Sequence, residues 1–137
     1  MDELNRFVRA QEHSYAQALS EIKAGRKYSH WIWYIFPQLK GFGRSWNSDY
    51  YGLDSLAEAA SYLAHPTLGL RLREITLALL EHSGKKPKDI LGDIDATKVC
   101  SSMTLFDKVC PGDIFARVLD EFYDGRRCNC TLRMISA

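Results

Sequence analysis

Asp95, Lys98, Ser101 and Ser102 place a carboxylate, an ammonium and two hydroxyls within one short stretch, DATKVCSS. Asp95, Lys98 and Ser102 are spaced by three and four residues, so on a helix they share one face with Ser101 beside them. There an ammonium can hold an anionic ligand, and a carboxylate can accept a proton or a ribose hydroxyl. A serine becomes a nucleophile only with a base in reach, and His30 and His65 are the histidines to weigh for that role. His65 precedes Pro66 and also reads as a helix-end residue. Taken alone, Asp95, Lys98 and Ser102 read as an exposed, salt-bridged surface, with the ligand-holding role as the functional alternative.

A second concentration of chemistry lies in residues 28–52, which hold nine of the sixteen aromatic residues and all three tryptophans, with Lys40, Arg44 and Asp49 as their charged residues. Large rings with satisfied N–H and O–H groups can plug the end of a small helical core. Polar residues mixed among them, His30, Gln38, Ser45 and Ser48, also fit a cleft whose flat walls, Trp31 and Trp33 included, would sandwich a base, a nicotinamide or a sugar. Gly41-Phe42-Gly43 followed by Arg44-Ser45 offers backbone N–H groups to a phosphate. It lacks the spacing of a Walker loop and the third glycine of a dinucleotide fingerprint, so a plain turn is the expectation.

Several function classes lose ground on composition. Eighteen Lys and Arg against seventeen Asp and Glu leave a formal charge of +1, without the basic footprint of sequence-specific nucleic-acid binding. The start, MDELNRFVRAQEHSY, carries no signal-peptide pattern, and no stretch reaches eighteen consecutive apolar residues. A cytosolic location away from membranes is expected. Cysteines occur at 100, 110, 128 and 130, with Cys128-Asn129-Cys130 the close pair. That is neither a CxxC redox motif nor the usual spacing of a zinc site, so free thiols are expected. No HExxH, GxSxG, paired-carboxylate or kinase motif is present. No metal and no cofactor are expected.

These residues need elements to hold them. At 137 residues the chain is long enough for one core without staples, and 46% hydrophobic against 26% charged residues is an ordinary globular balance. Leu4, Phe7, Val8, Tyr15, Leu19 and Ile22 recur at helical spacing, predicting a first helix from about Asp2 to Ala24, closed by Gly25. Gln11 sits where that stripe wants an apolar residue and must find partners or water. Ser55-x-x-Glu58 is a capping box for a helix that stops near His65. Pro66 suits the first turn of the next, whose Leu68, Leu72, Ile75 and Leu79 share a face and whose end is marked by Gly84. Residues 85–92 form a connection with room for one short helical turn. Asp93 is placed to cap a helix with Val99, Met103 and Phe106 inside, ending before Pro111. Asp113 is placed to cap another with Ile114, Phe115, Val118, Leu119 and Phe122 inside, ending at Gly125. A last helix from about Asn129 to Ile135 carries Leu132 and Ile135. No alternating pattern with turn chemistry appears, so the expectation is a single all-α domain over 1–137, a compact bundle of about six helices with one long aromatic-rich irregular segment at 28–52.

Taken in order, Ala10-Gln11, SHWIWYIFPQ at 29–38, GFGRSWNSDYYGL at 41–53, HPTLGLRL at 65–72, KVCSSMTLF at 98–106 and FARVLDEFYDGRRCNCTL at 115–132 resemble the bacterial family called domain of unknown function 1810. The resemblance implies a small single-domain all-α fold, with no established activity. The "calpastatin-like" label attached to some members has no counterpart in these residues. The family's recurring blocks fall on Gln11, His30, Trp31, Trp33, Gln38, Ser45, Ser48, His65, Arg71, Lys98, Ser101 and Ser102. This chain departs from the family near the Gly125 turn, where members often carry an acidic residue and Arg126-Arg127-Cys128 stands here.

The expectation is therefore a small-molecule site for a nucleotide-like or NAD-derived ligand, with a hydrolytic role open. Gln11, His30, Trp31, Trp33, Gln38, Ser45, Ser48, Arg71, Lys98 and Ser101 are its candidate binding residues, and His30, Asp95 and Ser102 its candidate catalysts. The rival reading is a non-catalytic interaction module or homo-oligomer that docks through exposed aromatics such as Trp33 and Trp46.

Overall fold

A computed structural model of the chain describes residues 3–41, 43 and 45–136. Ten helices run in order among the described residues: α1 (Asn5–Glu12), α2 (Tyr15–Ala24), α3 (Ile32–Ile35), α4 (Trp46–Tyr50), α5 (Leu56–Ala64), α6 (Leu68–Leu80), α7 (Pro87–Leu91), α8 (Asp93–Val109), α9 (Ile114–Tyr123) and α10 (Asn129–Ser136). The fold is all-α, as expected, but built from ten elements where about six were expected.

Two departures, with the short turn of the 85–92 connection counted as α7, explain the higher count. The first long helix is two helices, because Ser14 leaves the helical conformation (φ −128°) and its hydroxyl accepts a hydrogen bond from the Tyr34 hydroxyl at 3.0 Å. The bend lets α1 pack on α3 while α2 packs on α6. The segment 28–52 is not irregular throughout, since it contains α3 and α4. Its base is stitched by Lys40 N–H to Leu53 O at 2.8 Å and Leu53 N–H to Gln38 O at 3.0 Å. That stitch leaves room only for a residue without a side chain at Gly52, where a Cβ would lie 2.6 Å from Lys40 Cα.

Elsewhere local signals set the boundaries. Gly25 (φ +82°) closes α2. Ser55 Oγ accepts from Glu58 N–H at 3.1 Å to start α5, and the Glu58 carboxylate reaches back to Asp54 N–H at 2.8 Å. His65 is the helix-end residue: its Nδ1 accepts from the N–H groups of Thr67 (3.1 Å) and Leu68 (3.2 Å) at the start of α6. Asp113 caps α9 through Ile114 N–H at 2.8 Å. Asp93 does not cap α8; it is the first helical residue, and Gly92 (φ +84°) takes the capping position without a side chain to offer. The Arg127 that departs from the family pattern acts as a clamp, lying 3.5 Å from Asp107 and 3.7 Å from Asp120 and donating to Gly125 O.

The core centres on α8, which packs against α5, α7, α9 and α10. Val99, Met103, Leu105 and Phe106 of α8 are fully buried, together with Phe7, Ile22, Tyr62, Leu72, Ile75, Phe115, Val118 and Leu119. Tyr62 meets Phe7 edge-on, with ring centroids 5.1 Å apart. In α10, Thr131 is the fully buried residue and Leu132 and Ile135 are half-buried.

Candidate functional site

The first turns of α8 present one face to a cleft of about 390 Å³, through Ile94, Thr97, Lys98 and Ser101. The opposite walls come from Trp33, Gln38 and Gly43 of the aromatic segment and from Cys128 and Cys130 at the start of α10. The Lys98 ammonium lies 3.8 Å from the centroid of the Trp33 ring, a cation–π contact that fixes both side chains. Its other neighbour is Asp95 Oδ1 at 3.5 Å, one turn earlier on α8. Asp95 Oδ2 takes Lys27 at 2.8 Å, so a single carboxylate holds two ammoniums and the pair keeps a net positive charge beside the cleft. The Ser101 and Thr131 hydroxyls share a buried hydrogen bond of 2.8 Å that ties α8 to α10. Gln38 is buried and lines the cleft, and no hydrogen bond among the described residues engages its side-chain amide.

Trp31 and the turn that carries Lys27 are held by a residue that sequence reasoning passed over. Glu21, on α2, is buried and accepts from Tyr28 N–H (2.6 Å), Ser29 N–H (2.9 Å) and Trp31 Nε1–H (3.0 Å) on one oxygen. Its other oxygen accepts from Ser29 Oγ (2.7 Å) and Gln17 Nε2 (3.1 Å). Burial alone would raise the Glu21 pKa, but the donors from Tyr28, Ser29 and Trp31 outweigh it and bring it down to about 2. The carboxylate therefore acts as the nucleus of the 25–31 turn, from which Lys27 reaches Asp95.

Of the residues expected from sequence, Trp33, Gln38, Lys98 and Ser101 meet on this cleft, with Asp95 behind Lys98. The others are elsewhere. Trp31 is core, 1% exposed, and spends its N–H on Glu21. Gln11 is also buried: it donates to Tyr34 O (2.7 Å) and Tyr62 Oη (3.0 Å) and accepts from Arg71 at 3.4 Å, a polar node that satisfies the gap in the α1 stripe. Ser45 and Ser48 cap α4 by pairing with each other, Ser48 N–H donating to Ser45 Oγ at 3.2 Å and Ser48 Oγ to Ser45 O at 3.0 Å. His30 is exposed and is not among the residues lining the cleft. Ser102 is fully buried, and its hydroxyl has no hydrogen-bond partner among the described residues, so it is not placed to attack a substrate. Phe42 and Arg44 of the proposed phosphate turn lie outside the described residues.

The chain matches the family model described as "Protein of unknown function (DUF1810)" over residues 1–135. It belongs to the DUF1810 family. The crystal structure of the conserved hypothetical protein Rv1873 from Mycobacterium tuberculosis, at 1.38 Å, is similar: 40% sequence identity and a TM-score of 0.96, covering 98% of this chain and 97% of that one. A comparison with curated proteins finds no match. The DUF1810 fold here offers other concavities, and their chemistry is less suited to a ligand. A groove of about 610 Å³ beside Trp46 and Tyr50 is lined by Arg6, Arg9 and Lys40 but also by Glu3, Asp49 and Asp54. Arg6 is already committed to the Tyr50 and Gly52 carbonyls at 2.7 and 3.1 Å. Glu3, Asp54 and Glu58 bring carboxylate oxygens within 4.8 Å of one another. Arg6 counters Glu58 at 3.5 Å and Lys40 lies 3.9 Å from Asp54, so two of the three carboxylates already face a cation. No helix among the described residues is long and apolar enough to cross a membrane.

Proposed function

We propose that this DUF1810 protein binds a small nucleotide-like molecule in the Trp33–Lys98 cleft. The observation that carries the reading is Lys98 itself, an ammonium on the wall of a mostly apolar cleft, 3.8 Å over an indole and 3.5 Å from a carboxylate already neutralised by Lys27. A ligand anion can take Lys98 in exchange for its contact with Trp33, while the freed indole face and Ile94 receive the ring. Gln38, whose side-chain amide makes no hydrogen bond among the described residues, lines the cleft where a polar edge of the ligand would sit. At about 390 Å³ the cleft is near the lower end of ligand sites, which favours a mononucleotide over NAD or ADP-ribose.

Binding without turnover is the preferred form of the proposal. Both oxygens of Asp95 are engaged by ammoniums, Ser102 is enclosed, and His30 stands off the cleft, so no nucleophile and base are paired there. The test is a thermal-shift and calorimetric titration with mononucleotides, ADP-ribose and NAD, repeated on Lys98→Ala, Trp33→Ala and His30→Ala. A stabilising mononucleotide whose effect disappears in the first two variants and survives in the third is expected. Loss of the effect in His30→Ala alone, or no shift with any of these ligands at millimolar concentration, would retire the reading.

A second reading, self-association, is favoured by one observation. Trp46 is 67% exposed while stacked on the 44% exposed Tyr50 at 4.6 Å, an aromatic surface largely open to solvent. Sedimentation equilibrium at rising concentration, with Trp46→Ala as the comparison, tests it; a monomer throughout removes it.

A further inference from the structure

The α10 wall of the cleft carries sulfur that ligand binding does not use. Cys130 is exposed and Cys128 half-buried, and both line the cleft with Lys98. Arg133, one turn along α10, donates from Nη2 to Cys130 Sγ at 3.3 Å. The remaining thiols are differently placed. Cys110 Sγ donates to Asp113 Oδ2 at 3.4 Å, and Cys100 is half-buried, its thiol pushed up by burial and by neighbouring Cys128. One cysteine of four thus combines access, an apolar cavity to hold an adduct, a guanidinium on its sulfur and an ammonium lining the same cleft.

We propose that Cys130 is a thiol–disulfide exchange site that takes an anionic low-molecular-weight disulfide, and that the mixed disulfide fills the cleft. In the exchange, Cys130 gives its proton to water and the thiolate attacks one sulfur of the incoming disulfide. A new S–S bond forms to Cys130 as the old one breaks, and its electron pair leaves on the departing sulfur, which is protonated. Cys130 is oxidised and the departing half reduced. The Arg133 guanidinium stabilises negative charge shared along the three sulfurs during transfer, and Lys98 draws carboxylates of the disulfide into the cleft. That the adduct would control ligand access rests on the binding reading above; formation of the adduct does not.

Oxidised glutathione supplies the anionic probe and cystamine a cationic one, each mixed with the reduced full chain and followed by intact mass. One glutathione per chain is expected, absent in Cys130→Ser and retained in Cys128→Ser. The anionic disulfide should react at least roughly fivefold faster than the cationic one, and Arg133→Gln with Lys98→Gln should erase that preference. A thionitrobenzoate adduct should quench tryptophan emission, with most of the quench lost in Trp33→Phe. Modification of another cysteine, equal rates for the two probes, or a quench indifferent to Trp33 would overturn the proposal. This adduct pattern on a protein that binds no mononucleotide retires the binding proposal alone. A mononucleotide that binds equally well to the Cys130 adduct refutes occupancy of the cleft by the adduct.

Discussion

Replacing Glu21 by glutamine should separate the electrostatic work of the 25–31 turn from its shape. The carboxylate receives five hydrogen bonds, three on one oxygen and two on the other. Glutamine keeps one acceptor oxygen but sets an NH₂ against either the Tyr28, Ser29 and Trp31 donors or the Gln17 amide. The size of the loss follows from the titration. A carboxyl held at about 2 instead of its usual 4.5 is stabilised by about 2.5 pH units, or on the order of 3 kcal/mol. Because the folded-state pKa is the lower one, this stability is fully present above the unfolded value near 4.5 and is lost as pH falls through about 2. Urea unfolding followed by circular dichroism should therefore show Glu21→Gln less stable by on the order of 3 kcal/mol at pH 7. The gap should hold down to about pH 5, then narrow steadily toward pH 2. Other carboxylates titrate in both proteins and cancel in the difference, apart from any in contact with Glu21. A gap under 1 kcal/mol at neutral pH, or one that does not change with pH, would refute the assignment of Glu21 as the nucleus of this turn.

Three further substitutions probe the fold around the cleft. A methyl at Gly69 would meet Leu63 O at 2.0 Å, so Gly69→Ala should force α5 and α6 apart and cost about 2–3 kcal/mol, read from the urea midpoint; an unchanged midpoint would show that the crossing yields freely. Gln11→Ala strips a donor from the Tyr34 carbonyl and Tyr62 hydroxyl and the acceptor from Arg71, for a loss of about 2–3 kcal/mol in the same assay; a neutral change would mean that water replaces the amide. Ser102→Ala removes a buried hydroxyl that has no hydrogen-bond partner among the described residues, so the melting temperature should hold or rise, whereas a fall equivalent to more than about 1 kcal/mol would show that the hydroxyl is satisfied in solution.

What the sequence made legible was whatever is decided within a few residues. The Ser55 and Asp113 caps, the Gly25 stop and the apolar stripes of α6, α8 and α9 are local bargains between side chain and backbone, and they stand where their spacing put them, whereas Pro66 falls in the turn before α6 and not in its first turn. The break at Ser14 was hidden because the apolar period runs through it, and what opens the helix there is Tyr34, twenty residues away. Glu21 was hidden for the same reason: four of its five donors come from beyond Gly25, and on α2 it looks like any surface glutamate.

On α8 the face that lines the cleft lies one residue away from the face read as Asp95, Lys98 and Ser102, which on a helix is about 100°. The face read as Asp95, Lys98 and Ser102 points partly inward; the face that meets Trp33 is Ile94, Thr97, Lys98 and Ser101, spaced i, i+3, i+4 and i+7. Both faces contain Lys98, and Ile94 is the residue that tells them apart. An isoleucine at the start of a helix reads as a core residue, yet here it is 73% exposed on the rim of the cleft. An apolar residue that continues a polar face, with an opposing wall of aromatics elsewhere in the chain, is the local signal that would have turned the helix the right way. That exposure also makes a physical claim: if Ile94 is the lip over which a ring enters, Ile94→Asp should weaken ligand binding with little change in folding stability, and unaltered affinity would place the entrance elsewhere.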